Sequence, residues 1–194
     1  MTGDKRKIKR PHKLCWDSCL FIAWLMNEAR AKKEMDELAR QQTFFDSGRI
    51  HLCTSTIAIV EVLESTLPAG TPERWQKVLQ RQNFHLDQVT LRISRKAHAI
   101  RDYFRNLPDG NGTFSTPDAI FMATAIEAGC DYFYTFDGSD GQKKKRNSRT
   151  ILPFAQIIKA QFGLEVLRPW LDPDPNKNLE FPFEEEKEDE AEEV

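Results

Sequence analysis

The feature that most limits this chain is a rhythm. Short apolar runs without polar alternation recur at Lys13–Trp16, Arg49–Cys53, Phe84–Leu86, Asp131–Phe136 and Leu164–Leu167, and longer segments of helical period lie between them. A strand that alternates apolar and polar residues has one dry face. A strand that is apolar throughout has two, so it belongs in the middle of a parallel sheet with helices on both sides. The helices expected between the strands run from Leu20 to about Arg30, Lys32 to Phe45, Thr56 to Thr66, Thr71 to about Gln82, Thr90 to Arg105, Ala119 to Ala128 and Ile151 to Phe162. Their ends carry start and stop signals: Thr54-Ser55 and Thr71-Pro72-Glu73 as N-termini, and Gly48 and Gly129 as terminators. The segment Ala119–Ala128 is apolar nearly all round and is expected to be buried.

Charge divides the chain into three parts. Net charge is −2 over 194 residues, yet residues 1–13 carry +5 and residues 184–194 carry −7. Residues 1–12 read as a flexible basic arm, 13–168 as one folded domain, and 169–194 as a Pro-containing linker and acidic tail in which order fades from Pro169 onward. No apolar run approaches the roughly 20 residues that span a bilayer. Leu14–Met26 is interrupted by Asp17 and Ser18, so no signal peptide or membrane association is expected. Cys15, Cys19, Cys53 and Cys130 form no C-x-x-C pair and lie at no zinc-finger spacing from a histidine. They read as reduced core thiols of a cytoplasmic protein. Trp16, Trp24, Trp75 and Trp170 read as packing residues.

In an open parallel sheet, functional groups gather beyond the carboxyl ends of the strands. Asp17 directly follows the first strand and Asp137 directly follows Asp131–Phe136. Glu61 lies inside the apolar run Ile57–Leu63, and Asp118 lies in the first turn of an apolar helix. Each has an ordinary explanation: a helix cap for Asp17, a buried ion pair for Glu61, a favourable helix dipole for Asp118, a turn for Asp137-Gly138. Together they place four acids on one rim with no matching set of cations. At an effective dielectric near 20 and ~5 Å separation, each like-charged pair costs ~3 kcal/mol. A divalent ion resolves this, and all-oxygen ligands select Mg²⁺ or Mn²⁺ over zinc.

These residues fall within ordered motifs: Leu14-Cys15-Trp16-Asp17-Ser18; Ser55 followed by Glu61; Thr116-Pro117-Asp118-Ala119-Ile120, then Met122-Ala123-Thr124-Ala125; and Tyr134-Thr135-Phe136-Asp137. Over residues 14–168 the pattern resembles the PIN-domain nucleases, whose commonest small members are VapC-type toxins of toxin–antitoxin pairs. The resemblance implies a three-layer α/β/α sandwich and metal-dependent cleavage of RNA phosphodiesters. It matches Asp17, Glu61, Asp118 and Asp137 to the family's acidic quartet. Asp140 is an accessory acid on this reading, and Ser18 a small polar helper at ligand or metal-bound water. The implied partners are an RNA substrate, an antitoxin protein and a second copy of the chain. Two departures count against the toxin role more than against the chemistry: the chain is longer than such toxins, and the loop Gly138–Arg149 is extended. That loop carries Lys143, Lys144, Lys145, Arg146 and Arg149, basic residues suited to a phosphate backbone. The competing reading is a PIN-like scaffold that binds protein or RNA partners without catalysis. An aspartyl-nucleophile phosphatase would want an acid at position 19, which is cysteine. A nucleotide site would want a Gly-rich turn after the first strand, and there is none.

Overall fold

The computed structural model describes residues 10–62, 67–109, 112–138 and 148–179. Five parallel strands form one sheet in the order β3-β2-β1-β4-β5: β1 His12–Trp16, β2 Ile50–Ser55, β3 Phe84–Asp87, β4 Tyr132–Tyr134 and β5 Val166–Leu167. The chain builds outward from β1 to β3, then crosses back to lay β4 against the free side of β1. That reversal is a topological switch point, where the loops leaving β1 and β4 part to opposite faces and open a crevice.

The helices divide between the faces. On one side, α1 Ser18–Met26, α2 Lys32–Asp46 and α4 Thr71–Leu79 pack over Leu14, Trp16, Leu52 and Tyr134. On the other, α5 Leu91–Arg105, α6 Thr116–Glu127 and α7 Ala155–Phe162 pack over Cys15, Cys53 and Phe133. The short helix α3 Ile57–Glu61 follows β2 and feeds Ala58 into the second core. This is the three-layer α/β/α sandwich the apolar strands call for. The first core is aromatic: Phe21 lies 5.2 Å from Trp16, 5.1 Å from Trp75 and 6.0 Å from Phe84 in tilted or edge contacts. Each such pair adds ~0.5–1.5 kcal/mol to the burial itself. The indole of buried Trp16 donates to Gln41 Oε1 at 2.8 Å, so no polar atom of that ring is stranded.

Several local readings are corrected. Thr54 and Ser55 extend β2: Thr54 Oγ1 donates to Trp16 O at 2.8 Å and stitches β2 to β1, Thr56 takes the N-cap position of α3, and Ser55 Oγ accepts Ile57 N–H at a long 3.5 Å. Gly70, at φ 82°, holds the N-cap of α4, and Thr71 is its first residue. The expected helix from Ile151 begins as a 3-10 turn, Leu152–Phe154, because Pro153 removes a backbone donor. Residues 169–179 do not lose order. Leu171 N–H donates to Lys33 O at 3.0 Å, Arg40 reaches Leu179 O at 3.2 Å, and Arg168 pairs with the buried Glu34 carboxylate at 2.7 Å, strapping this segment across α2. Most of the basic arm (1–9) and the acidic tail (184–194) lie outside the described residues. Among the described residues, no helix is long and apolar enough to cross a membrane.

Candidate functional site

Asp17 stands at the switch point. It occupies the N-cap position of α1 with extended backbone, yet its carboxylate makes no capping bond. It points instead toward the end of β4, where Thr135 Oγ1 donates to Asp17 Oδ2 at 2.7 Å. The same hydroxyl accepts the backbone N–H of Asp137 at 3.0 Å, so Thr135 couples the two strand-end acids. Cys19, the second residue of α1, donates from Sγ to Asp17 Oδ2 at 3.4 Å and accepts Phe136 N–H at 3.4 Å. Ser18 Oγ lies 2.5 Å from Glu61 Oε2 and 3.3 Å from Asp17 Oδ1, so one hydroxyl proton is shared between two acids.

Asp17 is 5% exposed. Burial pushes its carboxyl up from 3.8 to about 6; the Thr135 and Cys19 bonds oppose the rise, and the charges of Asp118 and Glu61 add to it. The fold thus brings Asp118 and Glu61 within electrostatic reach of Asp17. Asp118 is placed by its helix: Ser115 caps α6 by accepting Asp118 N–H at 3.2 Å, and Pro117 sits in the first turn, so the half-buried carboxylate leaves the helix start. Asp137 is joined to Asp17 through Thr135, but its Oδ2 also accepts Ile151 N–H at 2.9 Å and its carbonyl accepts Leu152 N–H at 3.0 Å. Gly138 permits this close approach. Its φ is +93°, and a Cβ there would meet Pro153 Cδ at 2.8 Å.

This donor set fits a hard cation. Asp17 is buried and Glu61, Asp118 and Asp137 are half-buried, and the charged neighbours that add to the rise of Asp17 are anionic. The carboxylates are nevertheless more widely spread than the ligands of a closed cage. Among the described residues, the one group of three metal-type donors within 4.8 Å of one another is a set of thiols elsewhere. An ion here would be held by one or two carboxylates and otherwise by water, which is the habit of Mg²⁺.

The remaining expected site residues divide. Asp140, Lys143, Lys144, Lys145 and Arg146 lie outside the described residues. Arg149 is corrected. Its guanidinium is buried, forks onto the Asp109 carboxylate with 2.7 Å to Oδ2, and donates to Gly112 O at 2.8 Å and Phe104 O at 3.2 Å. It ties the end of the loop to α5 and is only 3% exposed. Thr135 and Cys19 were not singled out from sequence. Thr135 was visible only as a motif letter, and Cys19 as an apolar thiol.

The sequence pattern that defines the PIN domain matches residues 14–145. A toxin–antitoxin complex from Klebsiella pneumoniae contains a chain that superposes with a TM-score of 0.51 at 18% identity, covering 82% of this chain and 99% of that one. VapBC2 from Rickettsia felis, bound to a promoter DNA fragment, gives a TM-score of 0.51 at 9% identity with the same coverages. At those identities the likeness is one of fold. A comparison with curated proteins finds no match. The sheet order, the acids at its switch point and the match over most of the folded region make this chain a member of the PIN-domain family.

Proposed function

We propose that the protein is a divalent-metal-dependent endoribonuclease that hydrolyses RNA phosphodiesters at the rim formed by Asp17, Glu61, Asp118 and Asp137. The observation that carries the reading is the state of Asp17: a carboxyl raised by burial, with two neighbouring carboxylates adding to the rise, and oriented by two donors at the sheet's switch point. PIN domains are generally nucleases, and the two superposed structures come from toxin–antitoxin complexes. We extend that setting to this chain, with an antitoxin as partner and the cytoplasm as compartment.

Asp17 and Asp118 would be the principal ligands of Mg²⁺ or Mn²⁺, with Glu61 and Asp137 contributing directly or through water. When bound, such an ion supplies Lewis-acid chemistry at a phosphodiester. The chain's own residues do the rest. Thr135 fixes the Asp17 carboxylate and, through Asp137 N–H, the spacing of the second strand-end acid. Ser18 holds Glu61 toward Asp17 and can release its proton bond to either acid as the charge between them changes. Lys143, Lys144, Lys145 and Arg146 follow Asp137 closely in sequence and suit the phosphates flanking the scissile bond.

The test is cleavage of a single-stranded RNA by wild type and Asp17→Asn, each with Mn²⁺ and with chelator. Cleavage by wild type with Mn²⁺ alone is expected. Undiminished cleavage in chelator, or by a folded Asp17→Asn, would refute the assignment. Metal-dependent RNA binding without cleavage by wild type would favour a binding scaffold.

A further inference from the structure

A second donor cluster lies inside the sheet, on the face covered by α5 and α6. Cys15 and Cys53 are direct partners in the β1–β2 ladder, and parallel partners project to the same side. Cys130 arrives from a different direction. It follows the turn that ends α6, where Gly129 takes φ 64° and Cys130 N–H returns to Ala125 O at 2.9 Å. Asp131 N–H then donates to Lys13 O at 2.8 Å, locking this turn against β1. The three Sγ atoms come to lie within 4.8 Å of one another, and all three thiols are free.

The cluster is built like a ligand set. Three thiolates around one ion at Zn–S ≈ 2.3 Å would sit about 3.8 Å apart in a tetrahedron, a spacing this trio reaches with little adjustment. A further oxygen donor stands beside the trio, just outside that 4.8 Å group: Cys53 Sγ donates to Asp87 Oδ2 at 3.0 Å, and Asp87 closes β3 on the same face. Cationic balance is close by, since Lys13 Nζ is held by Ala128 O at 3.1 Å beside Cys130. Cys15 and Cys53 are fully buried while Cys130 is partly exposed, so the site has a dry floor and an open mouth.

We propose that Cys15, Cys53 and Cys130 form a structural site for a thiophilic d¹⁰ cation, zinc, which draws Asp87 in from Cys53 as its fourth donor. Binding releases the thiol protons to solvent. The ion would clamp β1, β2 and the α6–β4 turn two residues short of Asp17. The two sites sort cations by hardness: thiolates take zinc, and the all-oxygen rim takes Mg²⁺ or Mn²⁺. This assignment does not depend on the nuclease reading.

The experiment uses full-length protein, reduced and stripped with chelator, titrated with Co²⁺ and Cd²⁺ as spectroscopic probes. A thiolate charge-transfer band saturating at one ion per chain is expected, with tetrahedral cobalt bands in the visible. Zn²⁺ displaces them and excess Mg²⁺ does not. The bands persist in Asp17→Asn and fall in Cys130→Ser, a partly exposed position chosen to preserve folding. Absence of the band in wild type whose four thiols all react with a thiol reagent after unfolding overturns the site. So does an undiminished band in folded Cys130→Ser. If that variant does not fold, the wild-type cadmium band decides: an intensity matching three thiolates supports the trio, and one matching a single thiolate refutes it.

Discussion

The acid at the end of β1 should weaken the metal-free protein, and the effect can be sized. In the fold the Asp17 carboxyl titrates at about 6 against 3.8 for the ordinary side chain, with burial as the main cause. A folded pKa above the unfolded one means that folding disfavours the ionised form. The penalty is full above about pH 6, shrinks as pH falls through that value, and is gone below 3.8. At 1.36 kcal/mol per pKa unit, the fold bears about 3 kcal/mol at neutral pH from this one group. Asp17→Asn keeps an oxygen for the Thr135 hydroxyl and offers its amide to the adjacent carboxylates, so it should lift the penalty without opening a cavity. Urea unfolding in chelator at pH 7.5 should show the variant more stable than wild type by up to about 3 kcal/mol, or about 6–12 °C in Tm for a chain of this size. At pH 4 the two should converge. Mn²⁺ at a thousand times its Kd should reverse the order at neutral pH, since it adds about 4.1 kcal/mol to whichever protein binds it, more than the penalty of about 3 kcal/mol. A variant less stable than wild type in chelator at pH 7.5, or a gap that ignores pH, would refute this account of Asp17.

Three further outcomes follow. Arg149→Met removes the buried guanidinium that forks onto Asp109 and donates to Gly112 O and Phe104 O, so it should cost about 2–4 kcal/mol by urea titration. It should leave the salt dependence of RNA binding unchanged. Replacing Lys143, Lys144 and Lys145 with alanine should leave stability within error and flatten the log–log salt dependence of single-strand binding by about 0.7 per lost phosphate contact; an unaltered slope would make these lysines bystanders. Arg168→Ala leaves the 2%-exposed Glu34 carboxylate without this guanidinium, and a thermal melt should register a loss of about 2–4 kcal/mol.

The layered fold was readable because the strands are apolar on both faces and the helices carry terminators where the chain must turn. The positions of Asp17 and Asp137 followed from the same logic, since a residue just past a parallel strand has one rim to occupy. What the sequence concealed depends on register and on long-range pairing. Thr135 looks like any β-branched strand residue until β4 is set beside β1 and its hydroxyl falls between two acids. Arg149 carries the same charge as the lysines before it, and its place in the interior depends on Asp109 forty residues away. The cysteines share no local spacing and meet because β1 pairs with β2 in one register and the α6–β4 turn folds back on β1. Residues 169–179 are polar and proline-rich, yet buried Glu34 and the backbone of α2 give them a surface to follow.

The anchoring of Asp137 and Arg149 bears on how this domain can vary. Asp137 holds Ile151 and Leu152, Thr113 bridges to Ser148, and Arg149 is bolted to α5. The segment between Gly138 and Ser148 therefore leaves and rejoins the domain at two fixed posts. The number of residues between the posts is weakly constrained, since closure entropy in general rises by only about 0.6 kcal/mol for each doubling of the length spanned. Insertions there can be tried, lost and replaced while the acids at the posts keep their places. The two posts thus separate what must be conserved for the acids to keep their places from what is free to differ between domains of this architecture.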